Sequence, residues 1–197
     1  MIRVGFTMVS PLTKSRTVVT ATDAETGGAS FSVEVTCQPG MGPNVLEHLH
    51  ETWTETFEIV KGAAQYRLGG KHLKAKRGDT IVMPPRVPHV HPWAAGEGEM
   101  VYRQTSRFET PSREAVQDTL GSFATMNGLA REGKVDARGL PTNPLQLAAT
   151  LRTLGKHGGC STRLPISTQK ILSATLGRIA EAAGYQGVYA RYEHEAK

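Results

Sequence analysis

Five of the chain's seven histidines, His48, His50, His72, His89 and His91, fall in one stretch, and Glu55 stands among them. In His48-Leu49-His50 the imidazoles sit at i and i+2, so a strand here presents both on one face. Glu55, five residues past His50, has the opposite parity. A turn is therefore required near Glu51–Thr54, with Glu55 opening the next strand. His89 follows a further strand that ends at Met83-Pro84. Three neutral imidazoles and one carboxylate converging inside a barrel make a divalent-metal site with one negative charge and room for further ligands. His91, two residues past His89, shares its face on a regular strand and is a candidate fifth ligand, proton carrier or substrate contact. His72 reads as solvent-facing on a basic hairpin, and His157 and His194 lie in helix or tail context without an assignment.

Elements able to position these groups are visible between Thr17 and Arg107. Short runs alternate apolar and polar residues, as in Phe31-Ser32-Val33-Glu34-Val35-Thr36-Cys37 and Met100-Val101-Tyr102-Arg103-Gln104. Period-two alternation marks half-buried antiparallel strands. Gly69-Gly70 is a two-residue hairpin signal, and Arg77-Gly78-Asp79 punctuates the next pair. Several such strands at short spacing predict a β-sandwich or barrel. Phe57 and Ile59 share the parity of Glu55 and are expected to wall the cavity, with Met83 beside them. Gln104 is a candidate polar group on the same interior, and Arg86 a candidate contact for an anionic substrate at the mouth.

The spacing carries a family resemblance. Gly42, five residues, His48-x-His50, four residues, Glu55, six residues and Gly62 resemble the first motif of the cupins. Gly78, five residues, Pro84 and then His89 resemble the second. Two departures stand out: Pro84-Pro85-Arg86 replaces the family's Pro-x-Gly, and Trp93 stands where an asparagine is usual. The resemblance implies a mainly β fold, a cupin-type jelly-roll β-barrel over residues 1–108, followed by a C-terminal α-helical extension over 109–197. It implies metal ligands at His48, His50, Glu55 and His89, with Glu55 and His91 as candidate catalytic groups. A small-molecule substrate is expected, and strand parity and turn position make Phe57, Ile59, Met83, Arg86 and Gln104 its candidate contacts. The expected cofactor is a divalent ion, iron or manganese first, with zinc, nickel or cobalt as alternatives. A dioxygenase-like enzyme is the first expectation. A non-oxidative isomerase, cyclase or lyase, or a non-catalytic binding or sensing protein, are the alternatives. A homodimer is also expected.

The second half changes period. Thr110-Pro111 and Asn143-Pro144 are helix-start signals, and a third helix is expected over Ser167–Ala183 with Leu172, Leu176, Ile179 and Ala183 on one face. These helices are expected to pack on the barrel or at a dimer interface. The whole chain has 197 residues and a net charge of +5, with acids and bases balanced in the first hundred residues. The excess is scattered as single Lys and Arg residues, without the dense stripe or groove-entering motif that nucleic-acid binding requires. No apolar run approaches a membrane span, the apolar run in Met1–Ser10 is too short to be expected as a secretory signal, and Cys37 and Cys160 form no CxxC pair. The expected compartment is the cytoplasm.

Overall fold

The computed structural model describes residues 1–193, which leaves His194 outside the described residues. Two antiparallel sheets face each other. The first comprises β1 (Thr7–Val9), β2 (Arg16–Ala21), β3 (Ser30–Cys37), β10 (Met100–Phe108), β5 (Trp53–Lys61) and β8 (Thr80–Met83), in that spatial order. The second runs β11 (Gly159–Ser161), β4 (His48–His50), β9 (His89–Ala94), β6 (Ala63–Leu68) and β7 (Lys71–Lys76). This is the mainly β architecture with helices in the C-terminal region that the sequence pattern predicts.

Alternation sets what faces the core. Along β5, Trp53, Glu55, Phe57 and Ile59 are buried while Glu58 is exposed. Along β10, Met100, Tyr102, Gln104, Ser106 and Phe108 are buried. β10 pairs with β5 so that Gln104 lies opposite Phe57 and Ser106 opposite Glu55. Polar residues 55, 104 and 106 thus share one inward face. The hairpin of β6 and β7 turns at Gly69 and Gly70, whose φ values of 56° and 78° are the left-handed pair that glycine tolerates.

The helices depart from the sequence expectation in three ways. The first long helix, α2 (Arg113–Arg131), is capped not by Thr110 but by Ser112, whose Oγ accepts from the Ala115 N–H at 3.1 Å. Val116 and Leu120 are buried and Phe123 packs on Phe31 at 6.3 Å between ring centroids. α3 (Pro144–Lys156) starts as expected, with Asn143 accepting from the N–H groups of Leu145 and Gln146. A short helix, α1 (Asp23–Thr26), escapes the periodicity because four residues are too few to show one; its capping box is Thr22 with Glu25.

The third expected helix is a rod of α4 (Ile166–Leu172), a π-helical stretch over Ser173–Gly177, and α5 (Arg178–Ala182), stopped by Gly184 at φ 86°. Its face is the correction. Leu172, Leu176 and Ile179 are exposed, whereas Gly177 and Ala180 are buried. A Cβ on Gly177 would meet Arg152 Cδ of α3 at 2.6 Å. The rod approaches α3 so closely that only the small-residue stripe fits between them, and the large apolar residues are left outward.

The stretch after 108 also returns to the barrel. β11 pairs antiparallel with β4, with Gly159 opposite His50 and Ser161 opposite His48. A three-residue strand carries no periodic signal, so nothing in the sequence foretells it.

Candidate metal centre

β4 and β9 meet through a ladder pair of His48 with His89, which places both imidazoles on the interior side of the second sheet. Glu55 reaches them from β5 in the opposite sheet. The turn between β4 and β5 occupies Glu51 and Thr52, so Glu55 is the third residue of its strand and not the first. His50, Glu55, His89 and His91 are all buried, Glu55 and His89 almost completely.

Hydrogen bonds fix the rings. His48 Nδ1 donates to Leu46 O and His89 Nδ1 to Val87 O, each at 2.8 Å. A carbonyl only accepts, so Nδ1 carries the proton in both rings and Nε2 keeps a free lone pair. His89 Nε2 and His50 Nδ1 are buried without a hydrogen-bond partner. On the other side, Glu55 Oε1 accepts from Gln104 Nε2 at 2.7 Å and from Ser106 Oγ at 3.1 Å. Its second oxygen, Oε2, faces the imidazoles: His91 Nε2 at 2.8 Å, His89 Nε2 at 3.3 Å and His50 Nδ1 at 3.9 Å.

Burial governs the protonation states. Desolvation pushes the His48 imidazole well below its usual range, and His91, His50 and His89 nearby press the same way. Desolvation likewise pushes His50 down to about 3. Burial opposes ionisation of Glu55, yet His91 and His50 beside it and the hydrogen bond from His91 hold its carboxyl well below the usual range. His48 and His50 are therefore held as neutral imidazoles near one carboxylate.

That donor chemistry fits a divalent ion. One atom each from His48, Glu55, His89 and His91 lie within 4.8 Å of one another, so these four are arranged to hold a metal. Unpaired lone pairs in a dry interior are costly unless something satisfies them, and borderline N/O donors suit first-row divalent metals. Of the expected ligands His48, His50, Glu55 and His89, the structure brings His48, Glu55 and His89 into this group and leaves His50 outside it, its Nδ1 3.9 Å from Glu55 Oε2. His91 stands nearer than the family resemblance implies. Its parity with His89 was the signal for it.

The expected cavity residues divide. Phe57 lies 4.9 Å from the His91 ring and 5.4 Å from Tyr102, centroid to centroid. Ile59 and Met83 are buried in the same core, Met83 directly opposite Glu55. Gln104 holds Glu55, a role that the sequence does not reveal, and Ser106 joins it from the same face two residues on. The Arg86 side chain is exposed on the turn before β9; its backbone takes φ 64° and its N–H donates to His50 O at 2.6 Å. The family's glycine is thus replaced without loss of the left-handed turn.

Residues 33–103 match the family model described as a cupin domain. An uncharacterized protein of Methanocaldococcus jannaschii is 37% identical over 49 residues, a match spanning 25% of the chain and 39% of that relative's length. A predicted oxalate decarboxylase from Thermotoga maritima aligns at 15% identity and a TM-score of 0.46, over 55% of the chain and 98% of its own. KdgF from Halomonas sp. aligns at 22% identity and a TM-score of 0.40, covering 50% and 80%. A cupin-like protein from Thermotoga maritima gives 20% identity, a TM-score of 0.43, and 56% and 81%.

Proposed function

We propose, from a chain that belongs to the cupin superfamily through residues 33–103, that the protein is a metal-dependent enzyme acting on a small organic substrate beside the imidazole cluster. The observation that carries this reading is the division of labour at Glu55. Gln104 and Ser106 tie down one carboxylate oxygen, while the other faces imidazoles whose lone pairs have no protein partner.

A divalent ion held there would supply Lewis acidity toward a bound carbonyl or carboxylate and, with iron or manganese, a means of engaging O2. The chain's own residues supply the rest. Phe57, Ile59 and Met83 are buried beside the cluster and would wall a bound substrate from water, and His91 Nε2–H donates to Glu55 Oε2 at 2.8 Å. In the oxidative reading Glu55 both ligates and accepts a proton from the substrate. A second, non-oxidative reading, an isomerase, cyclase or lyase, is favoured by the number of imidazoles crowding Glu55 Oε2. The expected homodimer belongs to the same proposal, with Leu172, Leu176 and Ile179 offering an exposed apolar face.

Elemental analysis of freshly purified protein, with oxygen-electrode assays across phenolic and keto-acid substrates, tests it. One equivalent of a first-row metal is expected, lost in His48→Ala. Metal content unchanged in that variant would overturn the site. Substrate-dependent O2 uptake selects the oxidative reading, and turnover without it the other.

A further inference from the structure

The rod over residues 166–182 is about 25 Å long at the helical rise per residue and lies against α3 by its small residues. It is fixed there. Arg152 Nη1 donates to Ser173 O at 2.9 Å, and Gln169 joins the rod to β11. What it turns outward is apolar. Ile171 and Ile179 are 65% and 57% exposed, and Leu164, Leu172 and Leu176 are exposed with them. Single exposed apolar residues need no explanation, but a ridge of them at helical spacing marks a contact surface. The charge around the ridge is one-sided. Residues 151–184 carry five Lys and Arg against one acid, Glu181, a local +4 in a chain of net +5. Glu181 pairs with Arg152 at 2.9 Å, and Lys170 with Glu51 at 2.9 Å. Arg163, just before Leu164, and Arg178, just before Ile179, are exposed and make no ion pair among the described residues.

We infer that this ridge docks on an anionic lipid surface, with Ile171, Leu172, Leu176 and Ile179 entering the acyl boundary and Arg163 and Arg178 meeting lipid phosphates. The inference goes beyond the enzymatic reading and does not depend on it. A second copy of the chain is the competing occupant. It matches the apolar side chains, but the only acid it brings within 151–184, Glu181, is already paired with Arg152. The guanidiniums would then meet like charge. A lipid surface instead offers phosphate oxygens to every guanidinium laid along it. An amphipathic helix with basic flanks lies in the interface plane and does not cross it. Because the rod is bound to α3 and β11, docking orders no new helix and carries the barrel with it.

The test is co-sedimentation of the full chain with vesicles of phosphatidylcholine mixed with phosphatidylglycerol, and with vesicles of phosphatidylcholine alone, beside light scattering of the protein in solution. Binding is expected to the anionic vesicles only, weakening as salt is raised. The double variant Ile171→Ser with Ile179→Ser should bind more than about tenfold more weakly. Arg163→Gln with Arg178→Gln should bind about tenfold more weakly. Melting temperatures should be unchanged in both, because all four side chains are exposed. Full-strength binding by either variant would overturn the ridge as the docking surface, and equal binding to neutral vesicles would overturn the role of charge. No sedimentation with either vesicle would overturn the inference outright. So would a dimer in solution that Ile171→Ser with Ile179→Ser dissociates, which gives the ridge to a second copy. The choice between the two vesicle types by the unsubstituted protein stands even where a variant fails to fold.

Discussion

Glu55 is a buried carboxylate whose cost is offset by complete satisfaction of its oxygens. Gln104 and Ser106 serve one oxygen and each other, with Gln104 Nε2 also 3.1 Å from Ser106 Oγ. Removing one partner of a buried charge leaves the desolvation penalty uncompensated. Gln104→Leu is therefore expected to cost about 1.5–3 kcal/mol of stability by this reasoning, measured by urea unfolding. Because Gln104 orients the carboxylate that faces the imidazoles, the same variant should bind Co(II) roughly ten- to a hundred-fold more weakly. Unchanged affinity would mean that Glu55 keeps its aim without this support. The pairing of Gln104 with Glu55 was not legible beforehand, since parity places Gln104 on the inner face but register between β10 and β5 decides what it meets.

β4 is a three-residue strand that carries two histidines of the site, and its outer edge is held by β11 from the far end of the chain. Gln169 of α4 clasps β11 from both sides, Oε1 accepting from the Ser161 N–H at 3.0 Å and Nε2 donating to Ser161 O at 2.8 Å. The Glu51 N–H donates to Gly158 O at 2.8 Å, and Lys170 pairs with Glu51 at 2.9 Å. Strand, turn and helix thus brace β4 against rotation. Gln169→Ala, outside the imidazole cluster, is expected to weaken Co(II) affinity about tenfold, as loss of an outer support does, with the barrel's circular-dichroism spectrum retained. Full-strength binding would show that β4 needs no brace. Sequence periodicity identified three helices but read the wrong face of the last. Two stripes compete there, large residues at 172, 176 and 179 and small ones at 173, 177 and 180, and only the distance to α3 selects between them.

At the scale of the whole molecule, the buried imidazoles make folding pH-dependent. His50 titrates near about 6.5 in an unfolded chain and is pushed down to about 3 by burial in the fold. Between those values the unfolded state binds the extra proton, so stability falls as acidity rises. Metal-free protein is expected to melt at a constant temperature above about pH 6.5, the reference value for histidine, and progressively lower below it. Thermal melts across pH 4–8 check this, and a flat profile would mean that the imidazoles are open to water. No helix among the described residues is long and apolar enough to cross a membrane. Cys37 and Cys160 are both free and buried, and burial pushes the Cys37 thiol up to about 12.

The sequence by itself determined the strand character of the first half, the inward faces of the strands and the residue types of the centre, because alternation and ligand chemistry are local properties. It also located the left-handed hairpin at Gly69-Gly70 and the cap at Asn143. Only the tertiary structure decided that His91 stands beside Glu55, that Gln104 and Ser106 hold the carboxylate, and that residues 159–161 complete the histidine sheet. Those facts depend on register and on contacts between segments far apart in the chain, and such contacts leave no periodic trace in either partner.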